Sequence, residues 1–224
     1  MNSTAQNTEL VKPAIDWEEV LDNAPESALE QAGAQVSHYR SEYLELREMR
    51  GVSLLRIHSL QTVADLNQSL SDQDIHLPEK TLQSSGPDPA ALCLAPNEWL
   101  LFSEYLNTER LTDIVSPAVD KRLTCLLDVS CGYGVLRLSG SASPWLLSKV
   151  CRLDLAACTA GTSYASRTRM QHLAVTLHYH SPGGHNSAPV FDVITERSSM
   201  LHLWQLLIAS IPHAEQLQQV YGNV

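Results

Sequence analysis

The chain has 224 residues, 44% hydrophobic and 18% charged, a balance that suits a globular protein and excludes a disordered one. Its formal net charge is −10, and no basic stripe relieves it, which argues against nucleic acid or an anionic membrane surface as a partner. Five cysteines without a CxxC pair argue against a disulfide framework or a zinc knuckle and lead us to expect a reduced, cytoplasmic setting.

Residues 1–24 are polar and acidic and read as a mobile tail. No run of 18 apolar residues occurs, so no membrane span is expected, and MNSTAQNTEL lacks the basic and apolar regions of a secretory signal. Over residues 25–50, Leu29, Ala32, Val36, Tyr39, Tyr43 and Leu46 follow helical spacing, which predicts an amphipathic helix despite Gly33. Such a helix either covers its own core or is offered to another subunit.

Residues 51–119 read as a first α+β module. VSLLRIHS (52–59) is a strand, and Ser59 is read as the cap of a following helix whose Val63, Leu66 and Leu70 share a face. A weaker strand is expected near Leu82. AALCLA and EWLLFSE (98–104) are strands joined at Pro96-Asn97, and Asn107 or Thr108 caps a helix with Leu111, Ile114 and Val115 on one side.

Residues 120–211 repeat that order. TCLLDVS and GVLRLSG are strands, and Ser143-Pro144 starts a helix. RTRMQHLAVTLHYH is a long strand and VFDVITE its returning partner. Ser198 or Ser199 then opens a final helix with Met200, Leu203, Trp204, Leu207 and Ile208 on one face. Residues 212–224 read as a C-terminal tail. The fold class is therefore α+β: two consecutive strand-helix-strand-strand-helix modules with antiparallel sheets and helices on one side, preceded by a helix.

The glycines of DVSCGYGVLRLSGSASPWLL invite comparison with a phosphate loop. Gly132 and Gly134 lie between two strands, however, whereas a phosphate loop needs glycines between a strand and a helix. They read as residues of a bend or bulge.

No catalytic constellation emerges. Cys131 and Cys151 have no placed histidine and read as small buried hydrophobes. Asp128 and Asp154 are not brought together by the sequence. Trp99, Trp145 and Trp204 read as core. Two weak sites remain. Arg167 and Arg169 share a strand face, with Arg137 as a neighbour, and such a group suits an anion such as a folate tail or a partner's carboxylate. His178 and His180 share another face, and with His185 they form a spare set of metal ligands, although a solvated strand end explains them as well.

The segments DVS…GVLRLSG and Cys151-Arg152-Leu153-Asp154-Leu155, with LREMRGVSLLRIHS, LCLAPNEWLLFSE, AGTSYASRTRMQHLAVTLHYH and PVFDVITERSS, resemble in order the gamma subunit of heterotetrameric sarcosine oxidase. The resemblance covers roughly residues 45–211. It implies a duplicated module similar to the folate-binding domain of the glycine-cleavage aminomethyltransferase. It also implies a subunit without cofactor or catalytic residue of its own, packed mainly on an alpha subunit beside beta and delta subunits. FAD, FMN, NAD, tetrahydrofolate and zinc would then reside on those partners. The complex would oxidise sarcosine to glycine, with peroxide and either formaldehyde or methylene-tetrahydrofolate as further products. The competing expectation is a free-standing folate- or small-anion-binding protein of the same fold.

Overall fold

The computed structural model describes residues 27–34, 37–159, 163–180 and 188–221. The strands expected from alternating apolar residues form two antiparallel sheets. The first has five strands: β3 (Ser53–Ser59), β4 (Ser84–Ser85), β5 (Ala90–Ala95), β6 (Glu98–Ser103) and β7 (Thr124–Asp128), in the order β4-β5-β6-β3-β7. The second has six: β1 (His38–Arg40), β2 (Glu45–Met49), β8 (Tyr133–Ser139), β9 (Ser163–Met170), β10 (Leu173–His180) and β11 (Val190–Glu196), in the order β1-β2-β8-β11-β10-β9.

The period of two along each strand sets the layers. In β3, Leu55 and Ile57 face helices α2 (Val63–Leu70) and α3 (Thr108–Val115), in one core with Leu66, Leu70, Leu111 and Val115. Leu54 points the other way, and with Leu92, Leu100 and Phe102 it meets Val135, Ala165 and Ile194 of the second sheet. Behind the second sheet, Leu136, Leu138, Phe191 and Val193 meet α4 (Ser143–Val150), α5 (Leu155–Thr159) and α6 (Met200–Tyr221). Among the described residues each sheet thus carries helices on one face only, and the layers run helix, sheet, sheet, helix. The α+β expectation holds.

Element details differ from the sequence reading in several places. The N-terminal helix is a single turn, α1 (Ala28–Gln31), which Ser27 caps through the Glu30 amide at 3.0 Å. Gly33 then takes a φ of +88°, the left-handed geometry that terminates helices. Tyr39 and Leu46, expected on that helix, are instead cross-strand partners in the β1-β2 hairpin. Thr62, not Ser59, caps α2, and Asn107 caps α3 as expected. Ser143 is the first residue of α4, not its cap: its hydroxyl donates back to the Gly140 carbonyl at 2.6 Å. The long strand expected at 167–180 is two strands, β9 and β10, turning at Gln171-His172 with Gln171 at φ +53°. Residues expected as a C-terminal tail continue α6 as far as Tyr221, past Pro212. The segment 1–24 lies outside the described residues.

The expected boundary between residues 119 and 120 does not separate the sheets. β7 leads into β8 yet pairs with β3, and β2 leads into β3 yet pairs with β8. Each half donates its leading strand to the other half's sheet. Gly140 is required where the exchange is tightest. At φ +118° a Cβ there would stand 2.3 Å from the Tyr43 carbonyl oxygen, on the turn that leads into β2. Among the described residues, no helix is long and apolar enough to cross a membrane.

Candidate functional site

Chemistry concentrates between the sheets. β8, β11 and β10 lie side by side, and their register aligns Arg137, Asp192 and His178 in one row on the inward face. His180 stands two residues further along β10, with its ring centroid 4.0 Å from that of His178. The Asp192 side chain is fully enclosed. Arg137 donates to it twice, Nε to Oδ1 at 2.7 Å and Nη2 to Oδ2 at 2.8 Å, and His180 Nε2 contacts Oδ2. Arg137 Nη2 also reaches Glu104 Oε1 at 2.6 Å, which ties the second sheet to the end of β6 in the first.

Burial alone would raise the Asp192 pKa, but hydrogen bonds from Arg137 and His180 hold it far below the usual carboxylate range. Arg137 is correspondingly held more firmly protonated by Asp192 and Glu104. Burial lowers His178 to about 3, and His180 and Arg137 add to the effect, so its ring is neutral at pH 7. Among the described residues its Nδ1 has no hydrogen-bond partner.

His178, His180 and Asp192 offer ligand atoms within 4.8 Å of one another, the first two being expected metal ligands. His185, the third expected, lies outside the described residues. Arg137 already supplies positive charge to both Asp192 oxygens, so a metal ion would have to enter against a guanidinium. The arrangement suits an internal electrostatic strut better than a cation site. Asp192 and Glu104 were missed by the sequence reading. The available signal was Asp192 alone among apolar neighbours in VFDVITE, a pattern that demands a buried partner.

The expected arginine group is not one site. Strands β11 and β10 separate Arg137 on β8 from Arg167 and Arg169 on β9. Arg169 is exposed, whereas Arg167 Nη2 and Arg56 Nη2 both approach Glu98 Oε1 at 2.5 Å. The two hydrogen-bonded arginines lower the Glu98 pKa in spite of its partial burial. This second ion group borders an open pocket of about 230 Å³ lined by Arg56, His58, Glu98, Cys125 and Leu127. These are inward positions of β3, β6 and β7.

The remaining sequence candidates separate cleanly. Asp128 accepts from the Ser130 amide at 2.9 Å and Asp154 from the Ala156 amide at 3.1 Å, each in its own turn. Cys151 is buried, and burial raises its pKa. Cys131 is exposed, contrary to its reading as buried, because it sits in the short turn between β7 and β8. Trp99 and Trp204 are core, while Trp145 is partly buried with its ring N–H on Gln218 at 3.0 Å. Gly132 belongs to that same turn, and a Cβ on Gly134 would meet Met200 of α6 at 2.5 Å. The glycines therefore serve strand geometry and close packing, not an anion.

Neither a protein-family model nor a curated protein matches the chain. Among solved structures, it is similar to a chain of heterotetrameric sarcosine oxidase from Corynebacterium sp. U-96, solved in complex with pyrrole 2-carboxylate. That match has a TM-score of 0.68 and 24% identity over 85% of this chain and 96% of the other. It is also similar to the glycine cleavage system aminomethyltransferase T from Bartonella henselae, with a TM-score of 0.53 and 11% identity. There the match covers 74% of this chain but only 45% of the longer enzyme. The chain has the fold shared by these two proteins.

Proposed function

We propose that this chain is a gamma-type structural subunit of a hetero-oligomeric sarcosine oxidase, acting in the cytoplasm in sarcosine catabolism and one-carbon metabolism. Its role is to shape and hold partner chains of alpha, beta and delta type. Those chains carry FAD, FMN, NAD, tetrahydrofolate and zinc, and the assembly demethylates sarcosine oxidatively to glycine. The observation that carries this reading is the near end-to-end match to one chain of such an oxidase, 85% of this chain against 96% of that one.

The site geometry supports the same reading. The most strongly perturbed groups, Asp192 and His178, are enclosed between the sheets, and Asp192 is held by Arg137 and His180. A free-standing folate- or small-anion-binding role is less well served, because Arg137 is committed to Asp192 and Glu104 and two strands separate it from Arg167 and Arg169.

The test is genetic and enzymatic. Extracts of the source cells grown on sarcosine, with and without this chain, are assayed for sarcosine-dependent peroxide formation. We expect at least a tenfold loss without the chain, restored by supplying it. Unchanged activity would contradict the proposal.

A further inference from the structure

Strand β7 forms the free edge of the first sheet. Its register with β3, fixed by Leu60 N–H donating to Leu123 O and Val129 N–H to Leu54 O, turns the backbone groups of Leu126 and Asp128 away from β3. Among the described residues, no strand pairs with that outer edge. Large apolar side chains of the segment flank it: Leu127 is 52% exposed and Leu123 43%. Proteins usually blunt a long bare edge with charge, proline or a covering loop. Here Cys125 and Leu127 of β7 line the pocket with Arg56 and Glu98, and Arg167 reaches the same Glu98 carboxylate from β9. Two guanidinium groups against one carboxylate leave a net positive charge, local to a chain whose total is −10.

From this juxtaposition we propose that β7 is a docking edge for an extended segment of a partner polypeptide. The segment adds as a sixth strand beside β7, its apolar side chains cover Leu123 and Leu127, and an acidic side chain enters the pocket to meet Arg56 and Arg167. Three features favour a polypeptide over a small anion. The pocket is open and shallow, the apolar strip runs on past it along the strand, and backbone donors and acceptors are available at strand spacing. The acid is called for by charge complementarity, since a guanidinium fork accommodates a second carboxylate. This inference rests on the subunit reading and names the surface through which that subunit engages its partner.

The assembly is affinity-purified from source cells through a tag on this chain, its chains are identified by mass, and backbone hydrogen exchange is compared with that of the chain alone. We expect the Leu126 and Asp128 amides to exchange at least tenfold more slowly in the assembly. We also expect Leu127→Glu, checked for folding by circular dichroism, to lower recovery of partner chains at least tenfold. An intact assembly in which these amides exchange as fast as in the free chain would overturn the docking edge while leaving the subunit reading standing. Protection that appears in the isolated chain as its concentration rises would overturn it too, because a second copy would then be the occupant. If no partner chain is recovered at all, the subunit reading fails and this inference fails with it.

Discussion

At the scale of single residues, Asp192 determines how the interior is built. A carboxylate with 0% exposure is tolerable only while Arg137 and His180 remain in place. Arg137→Met should therefore cost about 3–5 kcal/mol in urea unfolding, because it strands the Asp192 charge. Replacing Arg137 and Asp192 together by apolar residues should recover much of that loss. His178 makes a separate prediction. Its folded pKa of about 3 lies below the unfolded value of about 6.5, so between those values the unfolded chain holds a proton that the folded chain does not. Stability should fall as pH drops from about 6.5 toward 3, at up to about 1.4 kcal/mol per pH unit. The depressed Asp192 pKa acts in the same direction at lower pH, below its unfolded value of about 3.9. His178→Leu should flatten the upper part of the window, and urea titrations at several pH values would reveal it. Equal slopes for the two proteins would contradict the assignment.

At the scale of elements, α6 illustrates what periodicity does and does not carry. The apolar face at Met200, Leu203, Trp204 and Leu207 was legible and is buried. The helix's continuation was not, because Pro212 reads as a terminator. Its last turns are held by tertiary contacts that no local pattern encodes: Ala214 is buried, Ser41 and Tyr39 donate to Glu215, and Trp145 donates to Gln218. Ending the chain after Ile211 should cost about 2–3 kcal/mol, summing a net 1 kcal/mol or so for each lost hydrogen-bonding site with the lost apolar burial. An unchanged urea midpoint would show those turns to be idle. The same cause explains the misread β1-β2 hairpin and the turn at Gln171-His172. Tyr39 and Leu46 fit a helical spacing as well as a strand pairing, and Gln-His carries none of the Gly or Asn signal of a tight turn.

At the scale of the molecule, the sequence displayed the duplication but not the exchange. Most strands from β3 onward were readable from Val, Leu and Ile runs, whereas the pairing of β2 with β8 and of β7 with β3 depends on contacts about 65 to 95 residues apart. The candidate site was half legible for the same reason. His178 and His180 sit two apart on one strand, but Asp192, Glu104 and Arg137 join them only through the sheet order. The exchange predicts one cooperative unfolding transition. Residues 51–119 lack β7 and residues 120–211 lack β1 and β2, so the two pieces expressed separately should show little protected core, while a two-step transition in the whole chain would contradict this. Whether the molecule works as one subunit among several is decided by native mass measurement of the tagged chain purified from its own cells. We expect an assembly in which this 24.7 kDa chain is joined by two larger chains and one small one, with visible flavin absorbance. A colourless species of 24.7 kDa alone would contradict it.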